Sequence, residues 1–340
     1  MGPILVFGFS AVGDFIRCHS AIQIIARRFP DRPIDVVTSD ISVPLARLMP
    51  HVRKGWVLRK RHLQLGLGER SRLIGELRRE KYQTAYLMTS STKAALTVAM
   101  AGIPERIGYP QEWQFLLLNR LPADWLRHLW AFGPRKTRIH EEVCSIASLG
   151  KKPVSGTEWP APRLVVDAAE LEGWRRRHGI DPEKPALALY TSGFGDLRSW
   201  PVQRFITVAG EYASRGWSIW LVGGPREREA AAAVREALPE AVDFTSSPDI
   251  AEGMLPIAAS TVFVGVDGGV SHAAAALGVP CVLIFGSNRP YPHGPVNDQA
   301  VYLEPPISTP SWVLDTSGVS EERVLETLAA TVRKNVPQFA

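Results

Sequence analysis

The sequence predicts an α/β protein with two domains, each built on a doubly wound parallel sheet, that face a cleft. Three observations support this fold class. Strand and helix patterns alternate in the first half of the chain, the alternation stops at a segment rich in Pro, Gly and Ser (residues 151–163), and it then starts again. The 340 residues suffice for two domains. We predict a first domain over 1–155, a second over 156–318 and a C-terminal helix over 319–340.

The first domain shows alternating patterns of buried strands and amphipathic helices, as expected for parallel strands joined by helices. The predicted strands are 4–10, 34–39 and 82–90, and the predicted helices are 14–29 and 91–102. Gly102 can end the second of these helices. We interpret 102–110 as a connection, and 59–73, which begins RKRHLQ, as a loop over the cleft.

The second domain repeats the alternation. Its predicted strands are 186–192, 218–224, 261–266 and 280–286, and its predicted helices are 202–216, 226–238 and 271–278. The tail 320–335 is an amphipathic helix with Ser320 as its N-cap. Because folds of this class bind ligands beyond the carboxyl ends of their strands, we expect the site in the turns that follow the strands.

The charge is unevenly divided between the two halves. Residues 1–155 hold 24 Lys and Arg against 12 Asp and Glu, a net charge of +12, whereas the remainder holds 15 against 22, a net charge of −7. This asymmetry indicates an anionic partner for the first half, either nucleic acid or a phosphorylated lipid surface, unless the charges only solvate an ordinary face. Nucleic acid is the weaker candidate, since the basic half lacks interleaved aromatic residues and a known reading motif.

The cysteines and the amino terminus favour a cytoplasmic protein. Cys18, Cys144 and Cys281 are odd in number, far apart and in apolar company, so we interpret them as reduced core thiols. The opening MGPILVFGFS lacks the basic region of a signal peptide. No uncharged apolar run reaches the roughly 18 to 20 residues that a membrane span needs.

The stretch VFVGVDGGVSH joins a buried strand to a helix through Asp267, Gly268 and Gly269. Free amides at the start of a helix, with glycines that allow close approach, make an anion site, and His272 in the first turn can add a donor to a phosphate oxygen. The alternative is that Asp267 and Ser271 only cap the helix, because glycine-rich turns from strand to helix are common.

Two further turns of the second domain have the same form. TSGFGDLRSWP (191–201) offers the hydroxyls of Thr191 and Ser192, and Arg198 supplies a permanent positive charge suited to a diphosphate. LVGGPRERE (221–229) places Glu227 at a helix start, where it can bind a ribose hydroxyl or favour the helix dipole.

The first domain has one such turn, GFSAVGDF (8–15), in which Asp14 opens a helix. Asp14 either stabilises the helix start or faces the cleft as a general base. The sequence contains no Asp-x-Asp pair, complete P-loop, C-x-x-C pair or G-x-S-x-G motif, and its eight histidines are scattered. We therefore expect no metal and no cofactor beyond a co-substrate.

Together these segments resemble glycosyltransferase family 9, the heptosyltransferases. The resemblance spans nearly the whole chain in the family's order: the Gly-Asp turn with its helix and RFP exit, GIPERIGYP, IHEE, LRSWP, LVGGPRERE and VGVDGGVSHAAAALGVPCVLIFG. It implies a GT-B fold of two Rossmann-like domains, the donor on the second and the acceptor on the first. It also implies inverting transfer of heptose from ADP-heptose to a lipopolysaccharide inner core, without a required metal.

The resemblance assigns roles residue by residue. Asp14 falls on the proposed base, and Arg198 falls where the family carries a basic residue on the donor phosphate. Glu227 falls near the nucleotide ribose, and the 267–272 turn falls on the Asp-[Ser/Thr]-Gly-x-x-His donor loop. The predicted donor-binding residues are Thr191, Ser192, Arg198, Glu227, Asp267, Gly268, Gly269 and His272. The candidate acceptor contacts in the basic half are Arg59, Lys60, Arg61, Lys93 and Arg138.

Three departures from the family pattern leave the donor open. Gly268 replaces a Ser or Thr, Ser20 replaces a common proline, and Arg198 stands where Lys is familiar. One alternative is a related transferase that uses another nucleotide sugar for a polysaccharide or protein acceptor. A remote alternative is a nucleotide-sugar-binding protein without catalysis, although such a protein would not need Asp14 as a base. The expected partners are an ADP-sugar, an anionic lipid-linked saccharide and the cytoplasmic face of an anionic inner membrane, with no nucleic acid.

Overall fold

The structure is a computed structural model that describes residues 2–58, 67–110, 113–126, 139–153, 158–191, 198–286, 290–306 and 316–339. The chain forms two compact units, Met1–Arg163 and Leu164–Ala340. The boundary predicted after residue 155 therefore lies inside the first unit, and the predicted C-terminal helix lies inside the second.

The described part of the first unit contains a five-stranded parallel sheet in the order β3-β2-β1-β4-β5. Its strands are β1 (Ile4–Phe7), β2 (Ile34–Thr38), β3 (Val52–Val57), β4 (Thr84–Leu87) and β5 (Glu105–Ile107). Its helices are α1 (Val12–Arg28), α2 (Leu67–Glu80), α3 (Thr92–Met100) and α4 (Ile139–Ser148), with short 3₁₀ helices at Val43–Leu48 and Gln114–Leu116. The predicted doubly wound α/β sheet is confirmed for this unit.

Burial explains why the first unit folds in this way. β1 is buried along its whole length, and α1 turns Phe15, Ile22 and Ile25 inward. One core cluster joins the apolar faces of α2 and α3 to the sheet, with Leu77 and Val98 fully buried. Parallel strands covered on both faces are expected to be continuous apolar runs, and β1 (ILVF) is of this kind.

The described part of the second unit contains a six-stranded parallel sheet in the order β11-β10-β9-β6-β7-β8. Its strands are β6 (Ala186–Tyr190), β7 (Ser218–Leu221), β8 (Val242–Asp243), β9 (Val262–Val266), β10 (Cys281–Ile284) and β11 (Ala300–Leu303). Its helices are α5 (Ala168–His178), α6 (Val202–Ser214), α7 (Arg228–Ala237), α8 (Met254–Ala259), α9 (Gly269–Ala276), α10 (Pro290–His293) and α11 (Glu321–Asn335), with 3₁₀ helices at Thr316–Gly318 and Pro337–Phe339.

Two interpretations of the first half are wrong. The predicted loop over 59–73 is helical from Leu67 onward, because Leu73, Ile74 and Leu77 bury one face of α2. The predicted connection over 102–110 contains the edge strand β5, which pairs in parallel with β4. Residues 59–66 lie outside the described part of the chain. No helix within the described ranges is long and apolar enough to cross a membrane.

Candidate active site

The predicted site residues follow strands that are neighbours in each sheet. In the second unit the chain order reverses between β6 and β9, and the three glycine-bearing turns follow β6, β7 and β9. In the first unit the reversal lies between β1 and β4, and Asp14 and Lys93 lie in the helices that follow these strands. Such reversals are where open parallel sheets bind ligands, since the loops diverge there and leave a crevice.

The residue at the N-cap of α9 has no side chain to cap the helix. Gly268 occupies the N-cap position of α9, and the Ser271 hydroxyl donates to the Val266 carbonyl instead of capping the helix. The alternative in which Ser271 caps α9 is therefore wrong. Asp267 and His272 are both buried, the latter with 7% of its surface exposed. This burial is compatible both with an enclosed phosphate donor at His272 and with a packed core histidine.

Tyr190 packs against this turn and was missed by the sequence analysis. It ends β6, and its ring fills the space above Gly268, whereas its Cβ lies close to Gly265 of the neighbouring strand. A Cβ added to Gly268 would lie 2.6 Å from the Tyr190 hydroxyl oxygen, and one added to Gly265 would lie 3.0 Å from the Tyr190 Cβ. The absence of Ser or Thr at position 268 thus has a steric reason. The available signal was the coincidence of Gly265, Gly268 and an aromatic strand end.

The turn after β6 is described only at its two ends. Thr191 is buried at the carboxyl end of the strand, whereas Ser192 lies outside the described residues. Arg198 is half-buried and stands two residues before Trp200, which is fixed by a 2.9 Å bond from its indole nitrogen to the Val319 carbonyl. The guanidinium therefore extends from a well-anchored segment.

Glu227 folds back into the turn after β7. Its Oε2 accepts a 2.7 Å hydrogen bond from the Gly224 amide, and a Cβ on Gly223 would lie 2.8 Å from the same oxygen. Burial raises the pKa of the Glu227 carboxyl, and the bond from Gly224 opposes that rise. The carboxylate thus holds the glycine turn in shape, which adds a structural role to the two that the sequence suggested.

Asp14 lies in the first turn of α1 and pairs with a buried arginine. The Nη1 of Arg17 lies 2.9 Å from Asp14 Oδ1, and the aspartate side chain remains 30% exposed. Gly8 lets the preceding loop pass close to Phe15, since a Cβ there would lie 2.9 Å from the ring. The structure therefore gives one carboxylate oxygen a fixed direction while the side chain stays partly accessible.

Lys93 is the predicted acceptor contact that the structure describes. It is exposed in the first turn of α3, and its carbonyl accepts a 2.9 Å bond from Arg70 Nη1. Four other predicted contacts, Arg59, Lys60, Arg61 and Arg138, lie outside the described residues.

The described residues contain no group of three or more His, Cys, Asp or Glu side chains placed to hold a metal ion. A cavity of about 330 Å³ lies beside β11 and α11, lined by residues that include Asp298, Glu326 and Lys334. None of the predicted site residues lines this cavity.

Each unit is a parallel α/β sheet with a strand reversal, and the two together are Rossmann-like domains of the GT-B type. The family follows from a direct match: the model of glycosyltransferase family 9 (heptosyltransferase) matches residues 70–311. The chain belongs to this family and is a glycosyltransferase, as the sequence analysis predicted.

Individual relatives cover almost the whole chain. The sequence is 28% identical over 310 residues to lipooligosaccharide heptosyltransferase 2 of Haemophilus influenzae, covering 88% of each chain. The solved structure of ADP-heptose lipopolysaccharide heptosyltransferase II of Escherichia coli matches with a TM-score of 0.81 at 25% identity, covering 98% of this chain and 99% of that one. A family 9 glycosyltransferase of Veillonella parvula matches in fold, with a TM-score of 0.84 at 15% identity and coverage of 98% and 97%.

Proposed function

We propose that this protein transfers heptose from ADP-heptose to the inner core of a lipid-linked lipopolysaccharide acceptor, with inversion at the anomeric carbon. The main support is the convergence of three glycine-bearing turns after β9, β6 and β7 at the strand reversal of the second unit. Family membership gives the reaction class, and the names of the relatives from Haemophilus influenzae and Escherichia coli supply the sugar and the acceptor class.

In the proposed reaction, Asp14 removes the proton from an acceptor hydroxyl as that oxygen attacks the anomeric carbon of the donor. The bond from the anomeric carbon to the diphosphate breaks, and the electron pair leaves with ADP. Arg17 holds one oxygen of the Asp14 carboxylate, 2.9 Å from its own Nη1, so the base keeps a fixed direction. Near-attack geometry of this kind is a large part of what such an enzyme contributes.

The second unit is proposed to hold the donor. Arg198, His272 and the amides at the start of α9 stabilise the charge that develops on the leaving diphosphate. Glu227 binds the ribose through the carboxylate that also accepts from Gly224. Thr191, Asp267 and the two glycines after it complete the cradle, and Ser192 is proposed as a further hydroxyl donor.

The acceptor is proposed to bind the basic first unit. Lys93 and the arginines at 59, 61 and 138, with Lys60, are cations suited to phosphates or acidic sugars of an inner core. Because such an acceptor is lipid-linked, we propose that the protein works peripherally at the cytoplasmic face of an anionic membrane.

The test is a thermal-shift screen of ADP-heptose, ADP and nucleotide sugars with other bases. A ligand at 100 times its Kd stabilises the folded protein by about 2.7 kcal/mol, so the cognate donor is recognised by the largest shift. We expect ADP-heptose to give that shift and to give it equally in excess chelator, because arginine, histidine and amides are proposed to hold the diphosphate. A larger shift with a UDP- or GDP-sugar would replace the proposed donor, and dependence on Mg²⁺ or Mn²⁺ would contradict the metal-free cradle.

A further inference from the structure

Large apolar side chains are exposed together on the first unit. Leu96, Met100, Trp113, Phe115 and Leu116 expose between 42% and 69% of their surface, and we call these five residues the apolar patch. Soluble proteins expose single apolar residues routinely, but an aromatic and aliphatic group of this size marks an interaction site. The patch is not part of the machinery proposed for glycosyl transfer.

The patch is continuous because its two segments pack on each other. Gln114, in the middle of the aromatic segment, is buried and donates from Nε2 to the Thr89 carbonyl at 3.0 Å. Leu118, just beyond this segment, shares a core cluster with Ala95 and Val98 of α3. Leu96 and Met100 are one turn apart on the outer face of the same helix. The Trp113 and Phe115 rings lie with their centroids 6.2 Å apart.

Basic side chains border the patch. Lys93 is exposed one turn before Leu96 on α3. Arg70 donates to the Lys93 carbonyl at 2.9 Å, and the guanidinium of Arg78 donates to the Met100 carbonyl at 3.0 and 2.6 Å. These cations therefore lie at both ends of the exposed face of α3. They belong to a segment, residues 1–155, whose net charge is +12.

We propose that the apolar patch inserts into the interfacial layer of an anionic lipid bilayer while the bordering cations bind its headgroups. Tryptophan is enriched where membrane meets water, because its ring is both apolar and polar. Peripheral binding needs buried apolar area together with attraction to anionic lipids, and the patch and its border supply both. Charge complementarity selects the bilayer over a second copy, since two copies of this basic surface would repel each other.

The location of the patch relative to the proposed base connects membrane contact with acceptor binding. This connection alone rests on the proposed lipid-linked acceptor. Gln114 ties the aromatic segment to Thr89, two residues beyond the end of β4. β4 pairs in parallel with β1, and Asp14 lies just beyond the carboxyl end of β1. The aromatic segment of the patch thus lies at the same edge of the sheet as the proposed base. A membrane seated on it delivers an acceptor to that edge.

The first experiment measures flotation with vesicles of phosphatidylethanolamine and phosphatidylglycerol, which contain neither donor nor acceptor. We expect vesicle binding to weaken as NaCl rises from 0.1 M to 1 M, because salt screens the attraction to the headgroups. We expect the double variant Trp113→Ser/Leu116→Ser to lower the binding that persists at 1 M NaCl at least about ten-fold, because burial of one large apolar side chain changes an affinity by about ten-fold or more. The matched control is Val242→Ser/Val301→Ser, which changes two exposed residues of the second unit. Patch variants that float like the wild type would overturn the proposal.

A second experiment reports insertion directly. The three native cysteines are buried, so a Leu116→Cys variant can be labelled selectively with an environment-sensitive fluorophore. We expect its emission to shift to the blue on addition of these vesicles, and no shift for Val242→Cys. No shift at residue 116 with vesicle binding intact would place the contact elsewhere. A blue shift that depends on protein concentration and not on lipid would assign the patch to a second copy, against the proposal.

Both readouts are separate from catalysis. Transfer to a delipidated acceptor is expected to be unchanged in Trp113→Ser/Leu116→Ser, since neither residue belongs to the proposed site. Failure of the proposed sugar transfer would leave the flotation result intact, and failure of flotation would leave the transfer result intact.

Discussion

Asp14 is the residue on which the proposed chemistry of the first unit depends. Asp14→Asn keeps the size of the side chain and removes its basicity, so we expect the transfer rate to fall by about 10²–10⁴-fold, the usual contribution of a general base. Donor affinity is expected to be unchanged, because the predicted donor residues belong to the second unit. Product formation and calorimetric titration of the donor measure the two effects separately.

The matched control for this substitution is Asp40→Asn. Asp40 is an exposed aspartate in the loop after the neighbouring strand β2, and its Oδ1 accepts from the Ile41 amide at 3.0 Å. It is expected to retain turnover. Near-normal turnover of Asp14→Asn would remove Asp14 from the mechanism and leave it as a partner of Arg17 at the start of α1.

His272 decides between a phosphate site and a packed core at α9. If it donates to the diphosphate, His272→Ala weakens ADP binding by about 1–3 kcal/mol, the range for a hydrogen bond to a charged group, with little change in stability. If it is a packed residue, the same substitution lowers stability and leaves ADP affinity per folded molecule near normal. Titration of ADP beside a urea melt separates the two, with His178→Ala of α5 as the control.

At the scale of elements, the glycine turn after β9 and the strand end at Tyr190 are fitted to each other. Gly268→Ala puts a Cβ 2.6 Å from the Tyr190 hydroxyl, so we expect a loss of stability of about 1–3 kcal/mol, typical of overpacking, and weaker ADP binding. The cost should shrink in a Tyr190→Leu background, which a double-mutant cycle measures. Gly210→Ala in α6 is the control, because a Cβ there meets nothing within 4 Å. Additive costs in the cycle would show that the ring does not set the requirement for glycine.

Helix α1 is held to the end of the first unit by a buried histidine. His19 donates from Nε2 to the Pro50 carbonyl at 3.1 Å and accepts at Nδ1 from the Arg163 amide at 2.9 Å. The bond from Arg163 requires the neutral ring, since a proton on Nδ1 would face the Arg163 N–H. Burial lowers the pKa of His19 from 6.5 to about 4.

This depressed pKa predicts acid sensitivity. Between about pH 6.5 and 4 the unfolded chain binds a proton at His19 that the folded chain does not, so stability falls by about 3 kcal/mol as the pH falls through this range and is fully present above it. His19→Gln is expected to be less stable than the wild type at pH 7.5 and to lose less stability on acidification. Urea unfolding at pH 7.5 and 4.5 compares the two, and equal losses would contradict the assignment.

Periodicity predicted the long central elements and missed the short marginal ones. The helices α1, α6 and α11 have strong apolar spacing, and Ser320 caps α11 as predicted, with its hydroxyl accepting from the Arg323 amide. The edge strand β5 has three residues, two of them charged, and carries no readable alternation. The many basic residues of helix α2 obscure its apolar spacing in the sequence, and only its packing in the folded chain shows which face is buried.

The part of the candidate site that lies in turns after strands could be predicted from the sequence. Asp14, Glu227 and Asp267 lie in turns after buried strands, as the sequence indicated. The roles of Tyr190 and the Glu227 carboxylate could not be predicted, because they depend on side-chain directions across residues that are distant in sequence or folded back on a turn. The pairing of Arg17 with Asp14 was missed although its i,i+3 spacing in α1 is visible in the sequence. The Asp35 carboxylate, buried in β2 with Arg53 and Tyr82, was hidden for the same reason.

At the scale of the whole molecule, the uneven charge of the two halves matches the different substrates that we propose for them. The basic first half is proposed to receive an anionic acceptor at a membrane, and the remainder, with a net charge of −7, is proposed to bind the donor through the turns that follow its strands. The central claim is that one chain joins these two substrates by inverting heptose transfer.

The most direct test is a transfer reaction with ADP-heptose and a lipid-linked core acceptor that lacks its heptose, followed by mass spectrometry and NMR of the product. The account predicts one added heptose with inverted anomeric configuration, stoichiometric release of ADP, activity that persists in chelator, and loss of product with Asp14→Asn. Product formed equally by Asp14→Asn, retention of configuration, or transfer from a different nucleotide sugar with none from ADP-heptose would contradict it.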